Sequence, residues 1–312
     1  MPNQAFDRRA VPADARFSTW EAADGCVYRT LGRRQPRGKA PRGSLLFAGG
    51  RGDFIEKYLE AQDHWHRRGW NVTAFDWRGQ GGSRGGGPGG YLDDFETVIG
   101  DLAGLIETWR AGTPGPHVVV GHSMGGHIVL RTLADRRPAL DAAVLIAPML
   151  AINSSPMPPF AAHWLASFAA TIGWASQPAW QQSPRPQSAG SVRQSILTGD
   201  RDRYEDELWW WRKHPGFDLG APTWGWLKAA YASCEALTPP KLSAVATPVL
   251  LIGTDRDRLV SPAAIRSAAR HLANAELLMF EDAAHEILRE RDSVRLEALA
   301  RIDAFLDRHA AR

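Results

Sequence analysis

"HVVVGHSMGGHIVLRTLADRR", His117 to Arg137, is the stretch on which the fold turns. A short apolar run ends at Gly121, and from Met124 onward the chain is helix-competent, with Ile128, Val129, Thr132 and Leu133 able to face a sheet. Between them lies Gly121-His122-Ser123-Met124-Gly125, a G-x-S-x-G match. A serine on a sharp strand-to-helix turn needs small residues two positions to either side, because strand and helix otherwise collide. Gly121 and Gly125 meet that need, and Gly126 adds slack. A second match, "GGSRG" from Gly81 to Gly85, lacks the setting. Ser83 is separated from its nearest apolar run by "WRGQGG" and leads into more glycines, so nothing is expected to hold its hydroxyl. Ser123 is the candidate nucleophile.

A serine hydroxyl is a weak nucleophile at neutral pH and needs a base within hydrogen-bond reach, oriented in turn by a carboxylate. Downstream, "VLLIGTDRDRLVSP" sets Asp255 and Asp257 just past one apolar run, and "LLMFEDAAHEIL" sets His285 just past the next. Of the ten histidines, His285 stands out by position. His64 and His66 would point to different sides of a helix, His122 and His127 flank the turn, and none of these follows the last expected strand. Acyl transfer also needs donors aimed at the oxyanion, each worth about 3–4 kcal/mol of barrier. The backbone N–H of Met124 is one candidate, and that of Arg51, in the glycine-rich loop "FAGGRGDF", is the other.

Short apolar runs alternate with amphipathic stretches over most of the chain, the pattern of an α/β protein with a mainly parallel sheet covered by helices on both faces. Ser44–Gly50, Asn71–Asp76, His117–Gly121, Ala142–Pro148, Thr247–Gly253 and Ala275–Phe280 read as strands. Phe54–Arg68, Tyr91–Arg110, Met124–Arg136, Pro262–Leu272 and Glu286–His309 read as helices. The alternation breaks for roughly 90 residues after Met149, too long for a loop in a compact domain. The expected organisation is therefore a core from 1–148 and 238–312 with an inserted helical cap, or lid, over 149–237. That insertion holds eight of the thirteen tryptophans, and its turn-rich piece "SQPAWQQSPRPQSAG" reads as a linker or edge. The stretch "FAAHWLASFAATIGW" could line an acyl tunnel or rest on a lipid surface. Phe160, Trp164 and Trp224 are the candidate substrate contacts.

Composition narrows the function classes. With 44% hydrophobic and 23% charged residues, the 312-residue chain has the balance of a folded protein. Its net charge of +3 comes from arginines spread along the length, without a basic block that could track a phosphate backbone, so nucleic acid is not an expected partner. Cys26 and Cys234 lack metal or redox spacing and read as reduced, buried thiols. No G-x-x-x-x-G-K-[ST] or H-E-x-x-H occurs, and neither metal nor cofactor is expected. The N-terminus lacks the apolar run of an export signal, and "AAVLIAPMLAI" is too short to span a bilayer, so a cytoplasmic protein is expected, with peripheral membrane contact through the cap left open.

With these residues in view, the chain resembles the α/β-hydrolase superfamily, and within it the bacterial lysophospholipase and monoacylglycerol lipase-like serine hydrolases often grouped with serine aminopeptidases. The resemblance is carried by "GGRGDFIEKY" (Gly49–Tyr58), "DWRGQGGS" (Asp76–Ser83), "GHSMGGH" (Gly121–His127), "DRLVS" (Asp257–Ser261) and "AAHEILRERD" (Ala283–Asp292), and it spans nearly the whole chain. "HPGFDLGAPTWGWLKAA" (His214–Ala230) is similar to a cap segment of such members. The resemblance implies the order serine, acid, histidine, which fits Ser123, Asp257 and His285. Asp257 is preferred to Asp255 because Asp257-Arg258-Leu259-Val260 resembles the family's turn after that strand. "DWRGQGGS" then marks a structural turn near the active site, and Arg51-Gly52-Asp53 belongs to the oxyanion loop instead of an adhesion triplet. One departure stands out: that loop reads Gly49-Gly50-Arg51 where His-Gly is more common.

The implied activity is cofactor-free cleavage of a carboxylic ester, often carrying an acyl chain, through an acyl-enzyme on Ser123. Two alternatives stay open. A peptidase on the same three groups would need a desolvated acid in the cap, where Glu205, Asp206 and Glu207 look like an exposed helix face. A non-catalytic ligand-binding protein of the same fold is the other. Head group, acyl length and oligomeric state are not specified by the sequence.

Overall fold

A computed structural model describes residues 6–84, 90–180, 188 and 190–311. Eight strands form one sheet: β1 (Arg16–Glu21), β2 (Val27–Arg33), β3 (Gly43–Ala48), β4 (Trp70–Phe75), β5 (His117–His122), β6 (Ala142–Ile146), β7 (Val249–Thr254) and β8 (Ala275–Phe280). Their spatial order is β1-β2-β4-β3-β5-β6-β7-β8. From β4 to β8 all neighbours are parallel, while β1 and β2 pair antiparallel at one edge. β3, β5, β6 and β7 are buried along their whole length, which is why they read as unbroken apolar runs.

Side chains along a strand alternate between faces, and the core divides accordingly. Val119 of β5 packs on one side with Ile99 of α2 (Glu96–Ala111), Ile128 of α3 (Met124–Asp135) and Ile265 of α9 (Pro262–His271). Val118 and Val120 pack on the other with Trp65 of α1 (Leu59–Arg67) and Phe305 of α10 (Asp292–His309).

Between β6 and β7 lie α4 (Pro159–Ala169), α5 (Val192–Leu197), α6 (Arg201–Lys213) and α7 (Trp224–Glu235), followed by the short α8 (Pro239–Ser243). α6 is tied down by charge. Arg203 pairs with Glu60 and Asp292, Asp206 with Arg8 and Arg9, and Glu207 with Lys57 and Arg289. α7 is held to α3, where Ser233 Oγ lies 2.7 Å from both His127 Nε2 and Arg131 Nη1. α4 packs on α7 through its alanine side and turns Phe160, Trp164 and Phe168 to solvent.

Several expectations need correcting. β1 and β2 were not foreseen, because β1 is almost wholly exposed and β2 carries Arg29 and Arg33. Arg33 is nonetheless buried, paired with Asp63 and Asp14, and Arg29 pairs with Glu56 and Asp76. The helix expected over Glu286–His309 starts only at Asp292, since Glu286 and Arg289 are drawn into buried ion pairs that hold a 3-10 turn at Ile287–Arg289. Likewise α2 begins at Glu96 and α1 at Leu59. Of the expected linker at 176–190, residues 181–187 and 189 lie outside the described residues, as do 85–89 of the glycine-rich stretch. Pro178 is bridged to Thr223, so the described start of that linker is anchored. Cys26 and Cys234 are free and half-buried, and burial pushes the Cys234 thiol up to about 12.

Candidate active site

β5 delivers its chain to the C-terminal edge of the sheet, and α3 must begin at once. Ser123 absorbs the reversal with φ 53° and ψ −117°, a left-handed conformation that costs a non-glycine residue about 1–3 kcal/mol. The flanking glycines are steric necessities. A Cβ on Gly121 would fall 2.8 Å from Gly126 Cα, and one on Gly125 only 2.3 Å from the carbonyl oxygen of Gly49. The Ser123 N–H donates to Ile146 O at 2.9 Å, which fixes the turn against β6.

Ser123 Oγ lies 2.9 Å from His285 Nε2, and His285 Nδ1 lies 2.7 Å from Asp257 Oδ2. The other carboxylate oxygen of Asp257 accepts the N–H groups of Leu259 at 2.8 Å and Val260 at 2.9 Å. An ionised carboxylate only accepts, so the imidazole carries its hydrogen on Nδ1 and turns its basic nitrogen to the serine. Asp255 is exposed and paired with Arg266 instead. Burial alone would lower the pKa of His285, but the charge and hydrogen bond of Asp257, with Glu286 and Asp53 behind, raise it above the ordinary imidazole value near 6.5. Burial pushes the Asp257 carboxyl up, and the imidazole and the two N–H groups more than offset this, holding it below 3.8.

Beside the serine, the loop after β3 is strapped in place. Gly50 N–H donates to Asp53 Oδ2 and Gly52 N–H to Gln80 Oε1, each at 2.6 Å. The N–H of Arg51 between them has no acceptor among the described residues, and neither has that of Met124 in the first turn of α3. A Cβ on Gly50 would meet Ser123 Cβ at 2.9 Å, so glycine is what lets this loop approach Ser123.

The residues that hold the loop were not found from sequence. Asp53 Oδ2 also lies 2.9 Å from His122 Nδ1, and its Oδ1 lies 2.8 Å from Lys57 Nζ. Burial would raise the Asp53 carboxyl, but Lys57 and His122 hold it well below the usual carboxylate range. The only local signal was the four-residue spacing of Asp53 and Lys57. Ser83 corrects the expectation of a loose hydroxyl. It is buried, its Oγ donates to Asp76 O and accepts the N–H of Arg29, both at 2.7 Å, so it fixes the turn that carries Gln80.

A cavity of about 260 Å³ opens above Ser123 and His285, walled by Trp180, Trp211 and Trp226 and by aliphatic side chains including Ile152 and Leu219. The expected contacts Phe160, Trp164 and Trp224 are not in its wall. Phe160 and Trp164, four apart on α4, are each 75% exposed. Trp224 stands two residues from Trp226 on α7, so the two rings leave the helix on different sides. The expected exposed acidic face is also absent: Asp206 and Glu207 are buried and ion-paired, and Glu205 is half-buried. Among the described residues, no group of three or more His, Cys, Asp or Glu side chains is arranged to hold a metal ion, and no helix is long and apolar enough to cross a membrane.

Over 285 residues the chain is 31% identical to lysophospholipase L2 of Escherichia coli (strain K12), covering 85% of this chain and 80% of that one. It is 26% identical to a monoacylglycerol lipase of Mycolicibacterium smegmatis, covering 80% and 83%. Among solved structures, monoglyceride lipase of Saccharomyces cerevisiae superposes with a TM-score of 0.74 at 18% identity, covering 98% of this chain and 99% of that one, a likeness of α/β-hydrolase fold. The family model described as serine aminopeptidase, S33, matches residues 39–292, and the chain belongs to that family.

Proposed function

We propose that the protein is a carboxylic ester hydrolase acting on single-chain lipid esters. The observation that carries this reading is the line Asp257–His285–Ser123, at 2.7 Å and 2.9 Å, ending beside two unused N–H groups at the floor of an apolar cavity. In the reaction, His285 Nε2 takes the proton of Ser123 as Oγ attacks the ester carbonyl, and the N–H groups of Met124 and Arg51 receive the oxyanion. The imidazolium, stabilised by Asp257, returns the proton to the departing alcohol. Water, deprotonated by the same nitrogen, then cleaves the acyl-enzyme.

A volume of about 260 Å³ is at the small end for small-molecule sites, which suits one acyl chain better than two. In this reading 149–237 is the cap, and Phe160, Trp164, Phe168, Ile172 and Trp174, each between 47% and 75% exposed, rest on a lipid surface. The relatives named lysophospholipase and monoacylglycerol lipase support a lipid ester as substrate. Peptidase action is disfavoured because Glu207, the one fully desolvated acid among the described residues of the cap, is already shared among Arg193, Lys57 and Arg289.

A fluorophosphonate probe tests the reading. Labelling is expected to vanish in Ser123→Ala and to persist in Ser83→Ala, which loses two hydrogen bonds and melts earlier. Labelling that survives in Ser123→Ala would overturn the assignment.

A further inference from the structure

Among the described residues, three long-chain cationic side chains border the cavity, Arg51, Lys57 and Arg193. Two are neutralised where they stand. Lys57 Nζ lies 2.8 Å from Asp53 Oδ1, 2.6 Å from Glu286 Oε1 and 3.4 Å from Glu207 Oε2, and Arg193 Nη2 lies 2.7 Å from Glu207 Oε1. Arg51 has no carboxylate partner among the described residues. Its Nη1 donates to Gly220 O at 3.0 Å, its Cζ lies 5.2 Å from the centre of the Trp226 ring, and its Nε and Nη2 are buried without an acceptor among the described residues. Asp218 also borders the cavity, but its Oδ1 accepts the N–H of Gly220 at 3.1 Å and it makes no ion pair with the guanidinium. Burial draws the Arg51 pKa down to about 10, with Asp218 opposing, so the group is still a cation at neutral pH.

A cation with two covered nitrogens left idle is unfavourable unless something completes it. Catalysis does not call for this side chain, since the oxyanion needs only the backbone N–H. Arg51 directly follows the glycine whose Cβ would touch Ser123 Cβ, and its side chain borders the same cavity as Ser123. Its planar fork matches the paired oxygens of a phosphate.

We propose that Arg51 is a specificity-determining residue that binds the phosphate of a single-chain phospholipid while the ester carbonyl lies at Ser123. This rests on the reading of the site as a single-chain lipid esterase. It assigns the guanidinium a role separate from the N–H of the same residue, and it makes a phosphate-bearing ester a better substrate than its neutral counterpart.

The test compares kcat/KM for 1-octanoylglycerol and 1-octanoylglycerol 3-phosphate, both below their micelle concentrations, in wild type, Arg51→Met and Arg51→Lys. The wild type is expected to favour the phosphate ester. Arg51→Met is expected to lower the ratio of the two kcat/KM values by about 30-fold, mainly through KM, and Arg51→Lys to restore part of it. A ratio unchanged in Arg51→Met, with both substrates falling together, would show a merely structural side chain and sink the proposal, as would wild-type preference for the neutral ester. Wild-type failure on both esters would instead defeat the esterase reading beneath it. Should Arg51→Met not fold, glycerol 3-phosphate decides on the wild type: competitive inhibition of neutral-ester hydrolysis that glycerol and matched salt do not give supports the phosphate subsite, and its absence refutes it.

Discussion

His285 works as a base only when neutral, so the rise in its pKa has a direct consequence for activity. The acid limb of kcat/KM is expected to have its midpoint above 6.5, with activity lost as pH falls through it. Asp257→Asn removes the main charge that raises the imidazole and leaves only Glu286 and Asp53 to oppose burial. The limb should then move to lower pH while the rate falls by about 10⁴-fold. A pH–rate profile of both proteins decides this, and a midpoint that stays put in the variant would break the link between the two residues. At this scale Ser123 and His285 were legible because each follows an apolar run at a position where the chemistry needs it. Asp257 was preferred to Asp255 only on the likeness of its turn, and the structure turns Asp255 away to Arg266. Lys57 and Glu286 could not have been paired from sequence, because they meet across 229 residues.

Elements were legible where one physical demand dominates. The buried parallel strands announce themselves by apolar runs, and the turn between β5 and α3 by its glycines. β2 was hidden because its ion-paired arginines look like surface residues until Glu56, Asp76 and Asp63 arrive from elsewhere. α4 is the opposite case, an apolar helix that covers its alanines and leaves its large rings open. Phe160 and Trp164 repeat at four residues and keep only a quarter of their surface covered. Phe160→Glu with Trp164→Glu is therefore expected to abolish sedimentation with phospholipid vesicles while leaving hydrolysis of a short soluble ester within about twofold, since neither ring borders the cavity. Equal vesicle binding by variant and wild type would remove α4 as the contact.

At the scale of the molecule, the sheet and the interruption after β6 could be read from the alternation of patterns, but the docking of the inserted helices could not. It depends on charges brought together from four regions of the chain. Glu207, with its side chain fully covered, takes Lys57, Arg193 and Arg289. Glu207→Ala leaves these cations short of a partner, and urea unfolding should show a loss of about 3–5 kcal/mol. A loss under about 1 kcal/mol would mean that the inserted helices are held mainly by packing. The same cluster reaches Asp53 and the neighbour of His285, so the ion pairs that dock the helices between β6 and β7 also border the proposed catalytic groups.

The central claim is that Ser123 becomes covalently acylated. Rapid acid quench of turnover with the p-nitrophenyl ester of octanoic acid, followed by peptide mass mapping, should find one octanoyl group, on the peptide containing Ser123. Turnover with that peptide unmodified, or with the acyl group on another side chain, would contradict the account.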